Sequence, residues 1–123
     1  MPVRSLRGRR ILVVEDEYFL ADELNLVLKD AGAVTVGPVA SVDGGLNLLA
    51  ASSVLDAASL DVNLGEESVY RLADVLMARA VPFLFTTGYD HAAIPAPYAH
   101  ILHQKKPVEP ETVLMELGKL VRT

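Results

Sequence analysis

The chain has 123 residues, 51% of them hydrophobic, a length and apolar content that suit one packed domain and exclude a disordered one. Its net charge of -5 argues against nucleic acid as a main partner, and the absence of cysteine removes disulfides, thiolate nucleophiles and thiolate metal sites together. No apolar run approaches the length of a membrane span, and no signal-peptide core follows the arginine-rich start, so a cytoplasmic protein is expected.

Arg4, Arg7, Arg9 and Arg10 precede the first apolar run. They read as solvated residues leading into a strand, in preference to an anion- or partner-binding arm, with residues 1–8 as the N-terminal lead-in. Ile11-Leu12-Val13-Val14 is continuous and aliphatic, as expected of a strand buried on both faces of a parallel sheet. It stops at the acidic corner Glu15-Asp16-Glu17. Phe19, Leu20, Leu24, Val27, Leu28 and Ala31 then recur at helical spacing, with Gly32 as the stop.

Val34-Thr35-Val36 reads as the second strand, closed by Gly37-Pro38. Ser41 is the expected N-cap of a second helix whose inner face is Val42, Leu46 and Leu49, weakened by Gly44-Gly45. Val54 to Leu60 reads as the third strand. It ends in Asp61, a carboxylate that is costly in a buried setting unless something pairs with it. Glu66 and Glu67 suit the first turn of a third helix, with Val69, Leu72, Ala73 and Leu76 on its buried face.

Pro82 to Thr86 is the expected fourth strand, ending in Thr87-Gly88-Tyr89. The helix due next is clipped, because Pro95 and Pro97 leave room for about one turn at most. Ala99 to His103 reads as the fifth strand, followed by Gln104-Lys105-Lys106-Pro107. Val113, Leu114, Leu117, Leu120 and Val121 mark the last helix, with Glu109 and Glu111 near its start. No repeat and no linker interrupts the chain, so residues 1–123 are expected to form a single domain.

Five strands alternating with helices predict a parallel sheet covered on both faces. In that architecture the site lies beyond the carboxyl ends of the strands. Glu15-Asp16, Asp61, Thr87 and Lys106 each stand at such an end, so a parallel sheet would place them on one rim. Three close carboxylates do not all stay ionised without a cation. A donor set of oxygens alone suits a hard ion, and magnesium fits because it needs only a few carboxylates beside water and phosphate oxygens. An aspartate can itself be a nucleophile and carry a phosphoryl group, and Lys106 and Thr87 could then meet its oxygens. Taken singly the residues are unspecific. Glu15-Asp16 reads equally as a helix N-terminal charge pair, Thr87 as a strand-end cap and Lys106 as a solvated lysine. Their joint placement, in this order, carries the weight.

The pieces Val13-Val14-Glu15-Asp16-Glu17, Leu60-Asp61-Val62-Asn63-Leu64, Phe85-Thr86-Thr87-Gly88 and Lys105-Lys106-Pro107 resemble those of the receiver domains of bacterial response regulators, over nearly the whole chain. The resemblance implies a flavodoxin-like, doubly wound (βα)5 fold with strand order 2-1-3-4-5, here with a shortened fourth helix. It implies Asp61 as phospho-acceptor, Glu15 and Asp16 as the acidic pair, and Asp16 as the more direct magnesium ligand. Asn63 would lend its backbone carbonyl to the metal. Thr87 would be the switch hydroxyl and Lys106 the family's lysine, followed by a cis bond to Pro107.

The implied function is a two-component phospho-switch that assists its own phosphoryl transfer and hydrolysis and is not otherwise an enzyme. The donor would be a sensor histidine kinase or a histidine phosphotransfer protein. Output would pass to a downstream protein, with a homodimer left open and no direct contact with nucleic acid or membrane. The Phe-Thr-Thr-Gly-Tyr run is also similar to a motif of some alphaproteobacterial stand-alone receivers.

Three features depart from the pattern. Leu64-Gly65 stands where the family usually has a proline, so a different loop geometry is expected. The clipped fourth helix changes a face that typical receivers use for signalling and dimerisation. His103 occupies the position of the switch aromatic and is read first as a half-exposed strand residue, second as an imidazole coupled to Thr87 that adds pH sensitivity. Asn63 and Tyr89 flank the site and are expected to tune the lifetime of the phosphate. Two other functions compete. Asp61-Val62-Asn63 faintly echoes the Asp-x-Asp of haloacid-dehalogenase-type phosphatases and phosphotransferases, although in those enzymes the nucleophile follows the first strand. The other is a receiver-like module that binds partners without phosphate.

Overall fold

A computed structural model describes residues 6–88 and 94–121. The lead-in through residue 5, including Arg4, lies outside the described residues, as do Tyr89 and the start of the proline-bearing segment through residue 93.

The elements in order are β1 (Arg10–Val14), α1 (Tyr18–Asp30), β2 (Val34–Val39), α2 (Val42–Ala51) and β3 (Ala57–Asp61). They continue with the short strands β4 (Asn63–Leu64) and β5 (Glu67–Ser68), then α3 (Tyr70–Ala78), β6 (Phe83–Thr87), β7 (His103–Lys105) and α4 (Pro110–Val121). A five-stranded sheet has the order β2-β1-β3-β6-β7, and every pairing in it is parallel. Counting only these five strands, the order is the expected 2-1-3-4-5.

The central strands send alternate residues to opposite faces, as the two-residue period of a strand requires. Ile11 and Val13 join Ala57, Leu84, Leu24, Leu28, Val113 and Leu117 under α1 and α4. Leu12 and Val14 join Leu60, Phe83, Phe85, Leu49, Leu72 and Leu76 under α2 and α3. Both faces are therefore covered, which accounts for the apolar runs Ile11 to Val14 and Phe83 to Phe85 and for the complete burial of β3.

Several boundaries differ from expectation. Gly37-Pro38 lies within β2 and does not close it. Two steps along β1, from Leu12 to Val14, face three along β2, from Val36 to Val39. This bulge needs glycine at position 37, where φ is +99° and a Cβ would stand 2.9 Å from the Val13 carbonyl oxygen. Beyond it Val39 accepts the Glu15 N–H at 2.9 Å, so the irregular strand anchors the start of the acidic corner.

β3 begins at Ala57, later than the expected Val54. The Asp56 side chain takes the Arg10 N–H at 2.8 Å, and the Arg10 guanidinium donates to the Val54 carbonyl at 3.0 Å. These contacts hold the preceding residues as a loop. Glu66 and Glu67 are not in a helical first turn either. Glu67 belongs to the β4–β5 hairpin, and α3 starts at Tyr70.

The fifth sheet strand is His103–Lys105, displaced from the expected Ala99 to His103. Residues 96–98 form a single 3-10 turn after Pro95, continued by N–H donation from Ala99 to Ala96 and from Ile101 to Tyr98. The turn bonds hold the backbone that strand pairing would need. Among the described residues no α-helix lies between β6 and β7. Ser41 caps α2 as expected, its hydroxyl oxygen accepting the Gly44 N–H at 3.0 Å. No described helix is long and apolar enough to cross a membrane.

Candidate functional site

The carboxyl ends of the parallel strands bring the separated sequence pieces to one rim. Glu15 and Asp16 follow β1, Asp61 is the last residue of β3, Thr86 and Thr87 end β6, and Lys106 follows β7. Carboxylate oxygens of Glu15, Asp16 and Asp61, one from each, lie within 4.8 Å of one another. The Lys106 ammonium reaches Glu15 Oε2 at 2.8 Å, Glu17 Oε2 at 2.6 Å and Asp61 Oδ2 at 3.1 Å. Asp16, Glu17, Asp61, Asn63, Gly88 and Lys106 line a small open cavity of about 270 Å³ at this rim.

Burial divides the acids. Glu15 and Asp61 are each 3% exposed, whereas Asp16 and Glu17 face solvent. Glu15 is well supplied with donors: the Glu17 N–H at 3.1 Å, the Thr86 hydroxyl at 3.4 Å and Lys106. Asp61 Oδ1 accepts the N–H of Asn63 at 3.2 Å, a local turn that aims the carboxylate back over its own chain. Burial, and after it the hydrogen bond and charge of Glu15, pushes the Asp61 carboxyl up to about 8, against the pull of Lys106. Burial also works against the charge on Lys106, but its bonds to Glu15 and Glu17 and the charges of Glu15 and Asp61 outweigh it and hold the amine above the usual lysine range.

One ammonium thus serves several carboxylates, and Asp61 bears the deficit. A divalent cation fits this donor set. It would be met by oxygens alone, and its charge would let Glu15, Asp16 and Asp61 stay ionised together. Glu15, Asp16 and Asp61 could hold it.

Thr87 sits where the sequence places it, buried at the last position of β6, and its carbonyl accepts the Lys106 N–H at 2.7 Å. The Lys106–Pro107 bond is cis, as the resemblance implied, and so is Gly37–Pro38. Asn63 borders the cavity from β4. His103 is a half-buried residue of β7 whose ring Nδ1 lies 2.8 Å from the Ile101 carbonyl oxygen.

Three contacts of the site were not anticipated. Glu17 was visible as part of the acidic run, but its reach to Lys106 depends on a long side chain. Thr86 precedes the expected Thr87 and, by the alternation of β6, points to the opposite face, where it meets Glu15. Gly65 donates its N–H to Asp16 Oδ2 at 2.9 Å, which no side-chain pattern signals.

This fold and rim define a class of parallel α/β proteins with a carboxylate cluster at the strand ends. The chain belongs to the response regulator receiver domains. It is similar to SdrG from Sphingomonas melonis Fr1, with 31% identity over 94% of this chain and 98% of that one and a TM-score of 0.78. The BeF3-activated conformation of SdrG from Pseudomonas melonis Fr1 matches at 33% identity over 98% of this chain and 99% of that one, with a TM-score of 0.75. The CheY-like receiver domain protein of Methanospirillum hungatei JF-1 shares the fold at 21% identity, covering 94% of each chain with a TM-score of 0.79. No family model and no curated protein matches the chain in sequence.

Proposed function

We propose that the protein is a phospho-accepting receiver of a two-component system, with Asp61 as the acceptor. The observation that carries this reading is the position of the Asp61 carboxylate. It ends β3 beside an open cavity, with the Lys106 ammonium at 3.1 Å and the Glu15 and Asp16 carboxylates clustered with it. The likeness to SdrG, one of whose structures is a BeF3-activated conformation, supports it.

A carboxylate oxygen of Asp61 attacks phosphorus in a phosphohistidine of a kinase or phosphotransfer protein. An O–P bond forms, the N–P bond breaks, and the imidazole leaves with a proton. Lys106 stands where it can meet a phosphoryl oxygen, and Thr87 supplies the hydroxyl that follows the new charge. Glu15, Asp16, Asp61 and the main-chain carbonyl of Asn63 would hold magnesium, which when bound supplies charge neutralisation of the phosphoryl oxygens. The domain assists this transfer and the later hydrolysis, in which water attacks phosphorus, the O–P bond to Asp61 breaks and inorganic phosphate leaves; its output is contact with another protein.

Incubation with magnesium and beryllofluoride, followed by amide resonances of the rim residues, tests the proposal. Wild-type protein should form an adduct that shifts Asp61, Thr87 and Lys106, and Asp61→Ala should form none. An unchanged wild-type spectrum, or the same adduct in the variant, would remove Asp61 from the role.

A further inference from the structure

The exposed member of the acid cluster is held by a backbone donor from another loop. Asp16 lies between β1 and α1, outside both elements, and an exposed side chain there would ordinarily sample several rotamers. Its Oδ2 instead accepts the N–H of Gly65 at 2.9 Å, across 49 positions of sequence. We infer that the Gly65 amide is a positioning group for metal binding, fixing the Asp16 carboxylate toward Glu15 and Asp61. This rests on reading those three carboxylates as the metal site.

The donor is itself rigidly mounted. Gly65 is the first turn residue of the β4–β5 hairpin, with Leu64 paired to Glu67 and Asn63 to Ser68 on either side. Leu64 is buried, the Val69 N–H donates to Val62 at 3.0 Å, and Glu67 Oε1 accepts the Val42 N–H at 3.4 Å. The turn needs φ of +66° at Gly65, which points the N–H at Asp16. One bond at Oδ2 leaves the carboxylate with acceptor sites for an ion. A partner that orients a ligating carboxylate lowers the ordering cost of binding and typically changes metal affinity 10- to 100-fold when lost.

Two substitutions bracket the turn, one keeping the N–H and the loop shape together and the other removing both, and hydrogen exchange at the amide then isolates the bond. Gly65→Asn keeps the N–H and tolerates positive φ, and nothing lies within 4 Å of the Cβ it would add. Gly65→Pro removes the N–H and cannot adopt positive φ. The full chain is titrated with magnesium alone and followed by amide resonances. Gly65→Asn should bind within about threefold of wild type and Gly65→Pro at least about tenfold more weakly. A purely structural role would lower the metal-free unfolding midpoint of Gly65→Pro without this loss.

Because the proline variant could fail to fold, hydrogen exchange at the Gly65 amide is compared between wild type and Asp16→Ala. The exchange should quicken in the variant. Wild-type affinity in a folded Gly65→Pro, or unchanged exchange in Asp16→Ala, overturns the assignment and leaves the metal site standing. A wild-type protein that binds no magnesium overturns the site and this inference together.

Discussion

Lys106 Nζ lies 3.1 Å from Asp61 Oδ2, although β6 separates their two strands in the sheet. Lys106 crosses that gap because its side chain is long and its backbone is fixed by the bond to the Thr87 carbonyl. The same ammonium also serves Glu15, which is buried, and Glu17, which is not.

Lys106→Met therefore removes the only ammonium contacting Asp61 among the described residues while keeping most of the volume. Breaking a buried pair from one side leaves carboxylates without their counter-charge, and here partial exposure moderates the penalty. The expected loss is about 2–3 kcal/mol of unfolding free energy, measured by urea denaturation in chelator. Magnesium should recover more stability in Lys106→Met than in wild type, since its charge replaces what was removed.

Gly37→Ala tests the bulge that aligns the acidic corner. Alanine there requires φ of +99° and brings a Cβ to 2.9 Å from backbone, at the Val13 carbonyl oxygen, which cannot move without disturbing β1. Strain at such a position costs about 1–3 kcal/mol. Resonance shifts should spread from β2 into Glu15, whose N–H is bonded to Val39.

Gly45→Ala weighs helix propensity against packing. A methyl group in the middle of α2 would favour the helix by up to about 1 kcal/mol. It would also stand 2.7 Å from Leu72 Cδ2 and 3.4 Å from Val14 Cγ2. Leu72 is fully buried against α2 and the sheet, so its side chain has little room to swing. Overpacking should win, with a net loss of about 1 kcal/mol read from thermal or urea unfolding.

The fold was legible where the physics is periodic. Two-faced burial writes itself as the unbroken runs Ile11 to Val14 and Phe83 to Phe85, and parallel strands then bring Glu15, Asp61 and Lys106 to one edge. It was illegible where single hydrogen bonds decide. The β4–β5 strands are two residues each, too short to show a period, so Glu66 and Glu67 read as a helix start. Ala99 to Leu102 looks apolar enough for a strand, but the turn after Pro95 uses its amides first. At the site, the Gly65 N–H and the reach of Glu17 leave no mark in residue type.

Tyr98 offers a pH-dependent test of the segment that replaces the fourth helix. Its ring stacks on Tyr70 at 4.6 Å between centroids, with an interplanar angle of 18°, and meets the Phe85 edge at 6.3 Å. Its hydroxyl donates to Asp74 Oδ1 at 2.6 Å. That bond, then partial burial and the charge of Asp74, pushes the phenol from 10.0 up to about 12. The folded state thus holds this proton more tightly than the unfolded one. The resulting stability is fully present below pH 10 and is lost as pH rises from 10 to about 12. Ultraviolet titration should show a late-ionising tyrosine that disappears in Tyr98→Phe and moves earlier in Asp74→Asn. At neutral pH Tyr98→Phe should cost about 1 kcal/mol through the lost hydrogen bond, and Tyr98→Ala about 2 kcal/mol through the lost stack as well. A Tyr98→Phe titration that loses an ordinary tyrosine step near pH 10, with any late step unchanged, would show that this hydroxyl does not hold the turn to α3.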